Sequence, residues 1–147
     1  STNETRKQMK ITIGSDHAGV EYKLKIIDSL EKNKHQVLDV GTFDKESVDY
    51  PDYAHLVAEE VISGADFGIL ICGSGNGVSM AANKHKGIRA ALCWSEEITK
   101  LARNHNDANI ISIPARFVSL EESKKLIKIF LTESFEGGRH QRRVEKI

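Results

Sequence analysis

From Met9 onward the chain alternates short β-branched runs with longer segments of helical period, the pattern of a parallel sheet covered by helices on both faces. The runs are ITIGS, QVLDV, FGILIC, IRAALC and NIISI, which place strands near residues 10–15, 36–40, 67–72, 88–93 and 109–113. Between them Val20, Leu24, Ile27 and Leu30 share one helical stripe, Ala54, Val57, Ala58 and Val61 a second, and Ile98, Leu101 and Ala102 a third. A further helix is expected from about Ser119, where Ser-Leu-Glu-Glu has the form of a capping box, with Leu126, Ile129, Phe130 and Leu131 facing inward. The expected fold is α/β, a three-layer α/β/α Rossmann-like sandwich on a five-stranded parallel sheet. The chain has 147 residues, enough for one core and too few for two, so 9–147 reads as a single domain that includes a C-terminal basic helix. The polar start STNETRKQ, residues 1–8, reads as a disordered tail or an expression remnant.

Lysine plus arginine and aspartate plus glutamate both number 21, so no net field draws the molecule to nucleic acid or to an anionic membrane. Any basic site must be local. No apolar run approaches the roughly 20 residues of a membrane span, and the first residues lack the apolar core of a secretory signal. Cys72 and Cys93 show neither metal-ligand spacing nor a disulfide framework, which suits a reducing, cytoplasmic setting.

Sites in open parallel sheets lie beyond the carboxyl ends of the strands, near the point where strand order reverses. The first strand ends in Gly14-Ser15-Asp16-His17-Ala18-Gly19, putting a carboxylate and an imidazole where a site is expected. Asp16 could equally cap the helix that follows. The third strand runs through Cys72 into Gly73-Ser74-Gly75-Asn76-Gly77 and a helix from about Val78. Three glycines in five residues allow backbone N–H groups to converge on an anion at a helix N-terminus, though such spacing also serves tight packing. The loop is not a Walker motif, and Met80 occupies the third glycine position of a dinucleotide fingerprint. A thiol before such a loop is open to having its pKa lowered by the N–H groups and the dipole. Cys93, inside IRAALCW, reads as a small buried hydrophobe. Arg103-Asn104-His105-Asn106-Asp107 closes the fourth helix and is expected to put a second histidine at the mouth of the sheet. Beyond Gly137-Gly138, a helical Arg139-His140-Gln141-Arg142-Arg143 would set Arg139 and Arg143 on one face, either as a phosphate clamp or as a solvated surface.

GSDHAG at 14–19, VDYPDYA at 48–54, ILICGSGNGVSMAANKHKGIRAALC at 69–93, RNHNDANI at 103–110 and EGGRHQRRVE at 136–145 together resemble the type B ribose-5-phosphate isomerase family, which also contains allose- and galactose-6-phosphate isomerases. The resemblance covers Met9 to the C-terminus with its motifs in order. It implies reversible aldose–ketose isomerisation of a phosphorylated sugar through an enediolate, without metal or nucleotide. In the family's cysteine-type members the residue matching Cys72 is the proton-abstracting base, and the N–H groups of Gly73, Ser74, Gly75, Asn76 and Gly77 suit an enediolate oxygen more than a phosphate. Ser74 would orient the reacting carbons. His105 matches the residue assigned to ring opening, Asp16, His17 and Asn106 match substrate-binding residues, and Arg116, Arg139 and Arg143 match the phosphate ligands. Tyr50 and His140 also fall in family motifs, without a defined role. Some members carry a glutamate base directly after the glycine loop; here that position is Val78, which leaves Cys72 as the base. The resemblance also implies a homodimer with shared active sites, with a tetramer as the larger option. Two alternatives stay open: a six-carbon sugar-phosphate isomerase, and a phospholigand-binding module without turnover.

Overall fold

The computed structural model describes residues 8–147, so the expectation for the polar start lies, apart from Gln8, outside the described residues. Five strands form one parallel sheet: β1 (Lys10–Ser15), β2 (Gln36–Asp39), β3 (Phe67–Cys72), β4 (Ala90–Leu92) and β5 (Ile110–Pro114). Their order is β2-β1-β3-β5-β4. The chain leaves β1 toward one edge and returns past it to β3, so strand order reverses between β1 and β3.

Right-handed crossovers then fix which face each helix covers. The helices α1 (Val20–Lys32), α4 (Glu96–Asn104) and α5 (Leu120–Thr132) pack on one face, where Ile26, Leu30, Ala102, Leu126 and Phe130 meet Ile11, Ile13, Ile71 and Ile113. On the other face α2 (Tyr50–Ile62) and α3 (Asn76–Ala82) bring Ala54, Val57, Val78 and Ala82 against Leu70 and Ile110. The three-layer sandwich and all five expected strands are present, β4 being shorter than the run that announced it. Ser119 caps α5 as its sequence implied, its Oγ accepting from Glu122 N at 3.0 Å, and Ser95 caps α4 in the same way. A short helix α6 (Arg139–Val144) closes the chain.

The stripe on α1 differs from the apolar period. Leu24 is 56% exposed, and Lys23 takes its place in the interior at 0%. The Lys23 ammonium lies 2.8 Å from Asp39 Oδ1 and also donates to the carbonyl of Thr42. A carboxylate and a carbonyl at the end of β2 thus draw a charged side chain inward, which hydrophobic periodicity cannot register. Asp39 Oδ1 also accepts from Gly41 N, and Gly41 and Thr42 hydrogen-bond the backbone of Ser15. The buried ion pair therefore braces the segment beside the end of β1. On α5 it is Ile127 rather than Ile129 that is buried, and on α4 Leu101 is 38% exposed.

Candidate active site

The reversal of strand order places the carboxyl ends of β1 and β3 side by side, with Ser15 in register with Ile71. The next residue on each strand is functional in type. Cys72 Sγ donates to Asp16 Oδ2 at 3.2 Å, while Asp16 Oδ1 accepts from Gly19 N at 3.1 Å. Capping and site roles are thus both open to Asp16, one through each oxygen. The carboxylate is nearly buried and the thiol half-buried. Desolvation and then the hydrogen bond and negative charge of Asp16 push the Cys72 pKa up, while N–H groups of Gly73 and Gly75 pull in the opposite direction. The expectation of a lowered thiol pKa is therefore corrected. The loop acts in the direction anticipated, but the facing carboxylate and burial outweigh it.

The loop after Cys72 turns on Gly75, whose φ of +78° is a conformation that favours glycine, and α3 starts at Asn76, two residues earlier than expected. Ser74 Oγ accepts from Asn76 N at 3.3 Å, and Ser79 Oγ ties the turn by donating to Gly75 O at 2.9 Å. Gly77 is required by a neighbour. A Cβ there would lie 2.4 Å from the ring of Tyr50, which packs against the loop from the start of α2. Val78, the position where a glutamate base would stand, is 1% exposed within the apolar layer between α2 and the sheet. Arg116 N donates to Gly73 O at 3.0 Å, and its guanidinium lies against Gly73. His17 accepts from Val48 N through Nδ1 at 3.4 Å. Asp16, His17, Cys72, the glycine loop, Tyr50 and Arg116 thus gather at one edge of the sheet.

His105 does not join them. It follows α4, which starts at the carboxyl end of β4 and returns to the amino end of β5, where Ile110 pairs with Gly68 and Ala90. The placement of this histidine at the mouth of the sheet is thereby corrected: a helix that crosses over between parallel strands ends at the opposite edge. β5 has five residues and spans roughly 16 Å. Around His105 a second group forms. Its ring stacks on His140 with centroids 4.1 Å apart, and Glu136 Oε1 lies 3.7 Å from His105 Nε2 and 3.9 Å from His140 Nε2. Arg139 and Arg143 are helical neighbours as expected, and with His105, Asn106 and His140 they line one open cleft of about 550 Å³. Loss of hydration, then His105 and Arg139, lower the His140 pKa. Sequence reasoning left Glu136 without a place; its position just before the Gly-Gly break, four residues from His140, was the available signal.

The larger cavity, about 790 Å³ between α1 and α5, contains none of these candidate residues. Cys93 is fully buried, as expected of a small hydrophobe, and burial pushes its pKa up to about 11. Among the described residues no helix is long and apolar enough to cross a membrane.

A doubly wound sheet with a thiol, a carboxylate and a glycine loop at its switch point defines an α/β protein built for chemistry on a small polar molecule. The chain belongs to the Ribose/Galactose Isomerase family, which it matches over residues 11–147. It is 50% identical over 139 residues to a probable ribose-5-phosphate isomerase B of Mycoplasma pneumoniae, covering 93% of this chain and 91% of that one. A crystal structure of the Thermotoga maritima ribose 5-phosphate isomerase superposes with a TM-score of 0.93 at 48% identity, covering 95% of this chain and 97% of the other. The Mycoplasma genitalium ribose-5-phosphate isomerase B, whose structure holds ribulose 5-phosphate, gives a TM-score of 0.89 at 48% identity, covering 92% and 91%.

Proposed function

We propose that the protein interconverts ribose 5-phosphate and ribulose 5-phosphate, with Cys72 as the proton-transferring group. The observation that carries this reading is the Cys72–Asp16 contact on the glycine loop, in a fold whose Mycoplasma genitalium relative binds ribulose 5-phosphate. In the forward direction the Cys72 sulfur removes the proton on C2 of the open-chain aldose and returns a proton to C1. The proton on O2 is lost and one is gained on O1, so the two sugars differ only in where the carbonyl stands. Between the two transfers the substrate is an enediolate. Backbone N–H groups of residues 73–77 are the donors available for its oxygen, a kind of stabilisation worth about 3–4 kcal/mol per donor. To act as base the thiol must first lose its own proton, and Asp16 Oδ2 is the acceptor within hydrogen-bond reach. Ser74 orients the reacting carbons, and His17 and Asn106 bind the sugar.

His105 serves ring opening, and Arg116, Arg139 and Arg143 take the phosphate. Within a chain His105 ends α4 at the sheet edge opposite Cys72, and Asn106, Arg139 and Arg143 line the cleft around it, so in this reading they act on the substrate held by a neighbouring copy. This reading makes the working unit a cytoplasmic homodimer with two shared sites, or a tetramer built from such dimers.

Comparing kcat/KM for ribose 5-phosphate, allose 6-phosphate and galactose 6-phosphate on one preparation tests the assignment. The five-carbon substrate should be the best of the three. A preference for a six-carbon sugar would replace the substrate, and phosphosugar binding without turnover of any of them would replace the reaction.

A further inference from the structure

We infer that His105, Glu136 and His140 form a binding site for a divalent transition-metal ion of the zinc class, and that its occupation inhibits the enzyme. Each residue offers one ligand atom, and these three atoms all lie within 4.8 Å of one another. Four-coordinate zinc with bonds of about 2.0–2.2 Å holds its ligands roughly 3.3–3.5 Å apart. Glu136 Oε1 already stands 3.7 and 3.9 Å from the two imidazole nitrogens. A shift of a few tenths of an ångström in a half-exposed carboxylate closes those two edges, and the imidazoles, stacked 14° from parallel, turn about their side-chain torsions to bring both lone pairs onto one ion.

Hydrogen bonds hold together the segments that carry the donors. Glu136 N donates to Asn104 O at 3.0 Å, and the Asn104 amide donates to Glu133 Oε1 and Ser134 O, so the segment before α6 is pinned to the end of α4. Two imidazoles and a carboxylate are a donor set that zinc accepts, and three protein ligands leave a fourth position for water. Arg139 and Arg143 line the same cleft, and their charge opposes a cation. The site is accordingly one that fills and empties with metal concentration, unlike a permanent structural centre. The inhibitory part rests on the isomerase reading above, because the metal takes the His105 nitrogen that ring opening needs. The binding part does not.

Titration calorimetry of the full chain with zinc sulfate, without sugar, tests the binding part. One ion per chain is expected, with affinity reduced in both His140→Ala and Glu136→Gln by at least the roughly tenfold that loss of an outer-shell partner costs. Cys72→Ser and His85→Asn, which alter the thiol and the hydrogen-bonded His55–His85 pair, should leave the affinity unchanged. No binding, or equal binding by His140→Ala and Glu136→Gln, would overturn the site. Cobalt(II) added to the unsubstituted chain gives a readout independent of any variant's folding: visible bands of a tetrahedral nitrogen–oxygen site support it, and a thiolate charge-transfer band moves the metal to cysteine and refutes it. Isomerase activity should fall in step with zinc occupancy and return with a chelator. Full activity at saturating bound zinc would remove the inhibitory claim while leaving the site.

Discussion

Cys72 Sγ donates to Asp16 Oδ2 across 3.2 Å, joining the carboxyl ends of the two parallel strands between which strand order reverses. Because the carboxylate is among the causes that raise the thiol pKa, Asp16→Asn should lower it. The rate of alkylation by iodoacetamide, followed against pH, should show its midpoint displaced to lower pH in the variant. A midpoint that stays or rises would mean that the carboxylate does not govern the thiol.

The opposite placement of Cys72 and His105 leads to a complementation test. Cys72→Ala and His105→Asn should each turn over the cyclic sugar phosphate poorly alone. Unfolded and refolded together in equal amounts, they should regain about one quarter of wild-type activity, because half of the two-fold dimers are mixed and one of the two sites in each carries both native residues. Absence of recovery would place both residues in one chain's own site.

His105→Asn should depress turnover of the cyclic sugar phosphate far more than that of an open-chain analogue. Single-turnover measurements on both would show it, and equal losses would argue against ring opening.

The strands were legible because β-branched runs separated by helical period leave few arrangements, and right-handed crossovers then assign Val57 and Val78 to one face and Ile26 and Phe130 to the other. Leu24 misled because its period is apolar, while the partners that bury Lys23, Asp39 and Thr42, are more than ten residues away along the chain. Cys72 and the glycine loop could be placed from strand ends alone. His105 could not, since composition says nothing of the edge at which a helix finishes. Strand direction does, and it sends His105 to the amino edge. The stacking of His105 on His140 and the reach of Glu136 to both depend on how the segment after α5 folds back, which no local pattern encodes.

Cys93 supplies a prediction on stability. Burial pushes its folded pKa up to about 11, above the ordinary value of a free thiol, so the native state favours the protonated form. The resulting stability is fully present below pH 9 and is lost as pH rises toward 11, by about 2–3 kcal/mol in all. Denaturant unfolding of the native chain and of Cys93→Ala between pH 8 and 11 should show a shallower alkaline decline in the variant. Parallel declines would locate the alkaline sensitivity elsewhere.

The central claim is that the Cys72 sulfur moves the substrate proton, and turnover by Cys72→Ala measured beside ribulose 5-phosphate binding tests it most directly. The account predicts a kcat lowered by at least about a hundredfold with binding little changed. A variant that binds the sugar and retains a large share of wild-type kcat would contradict it.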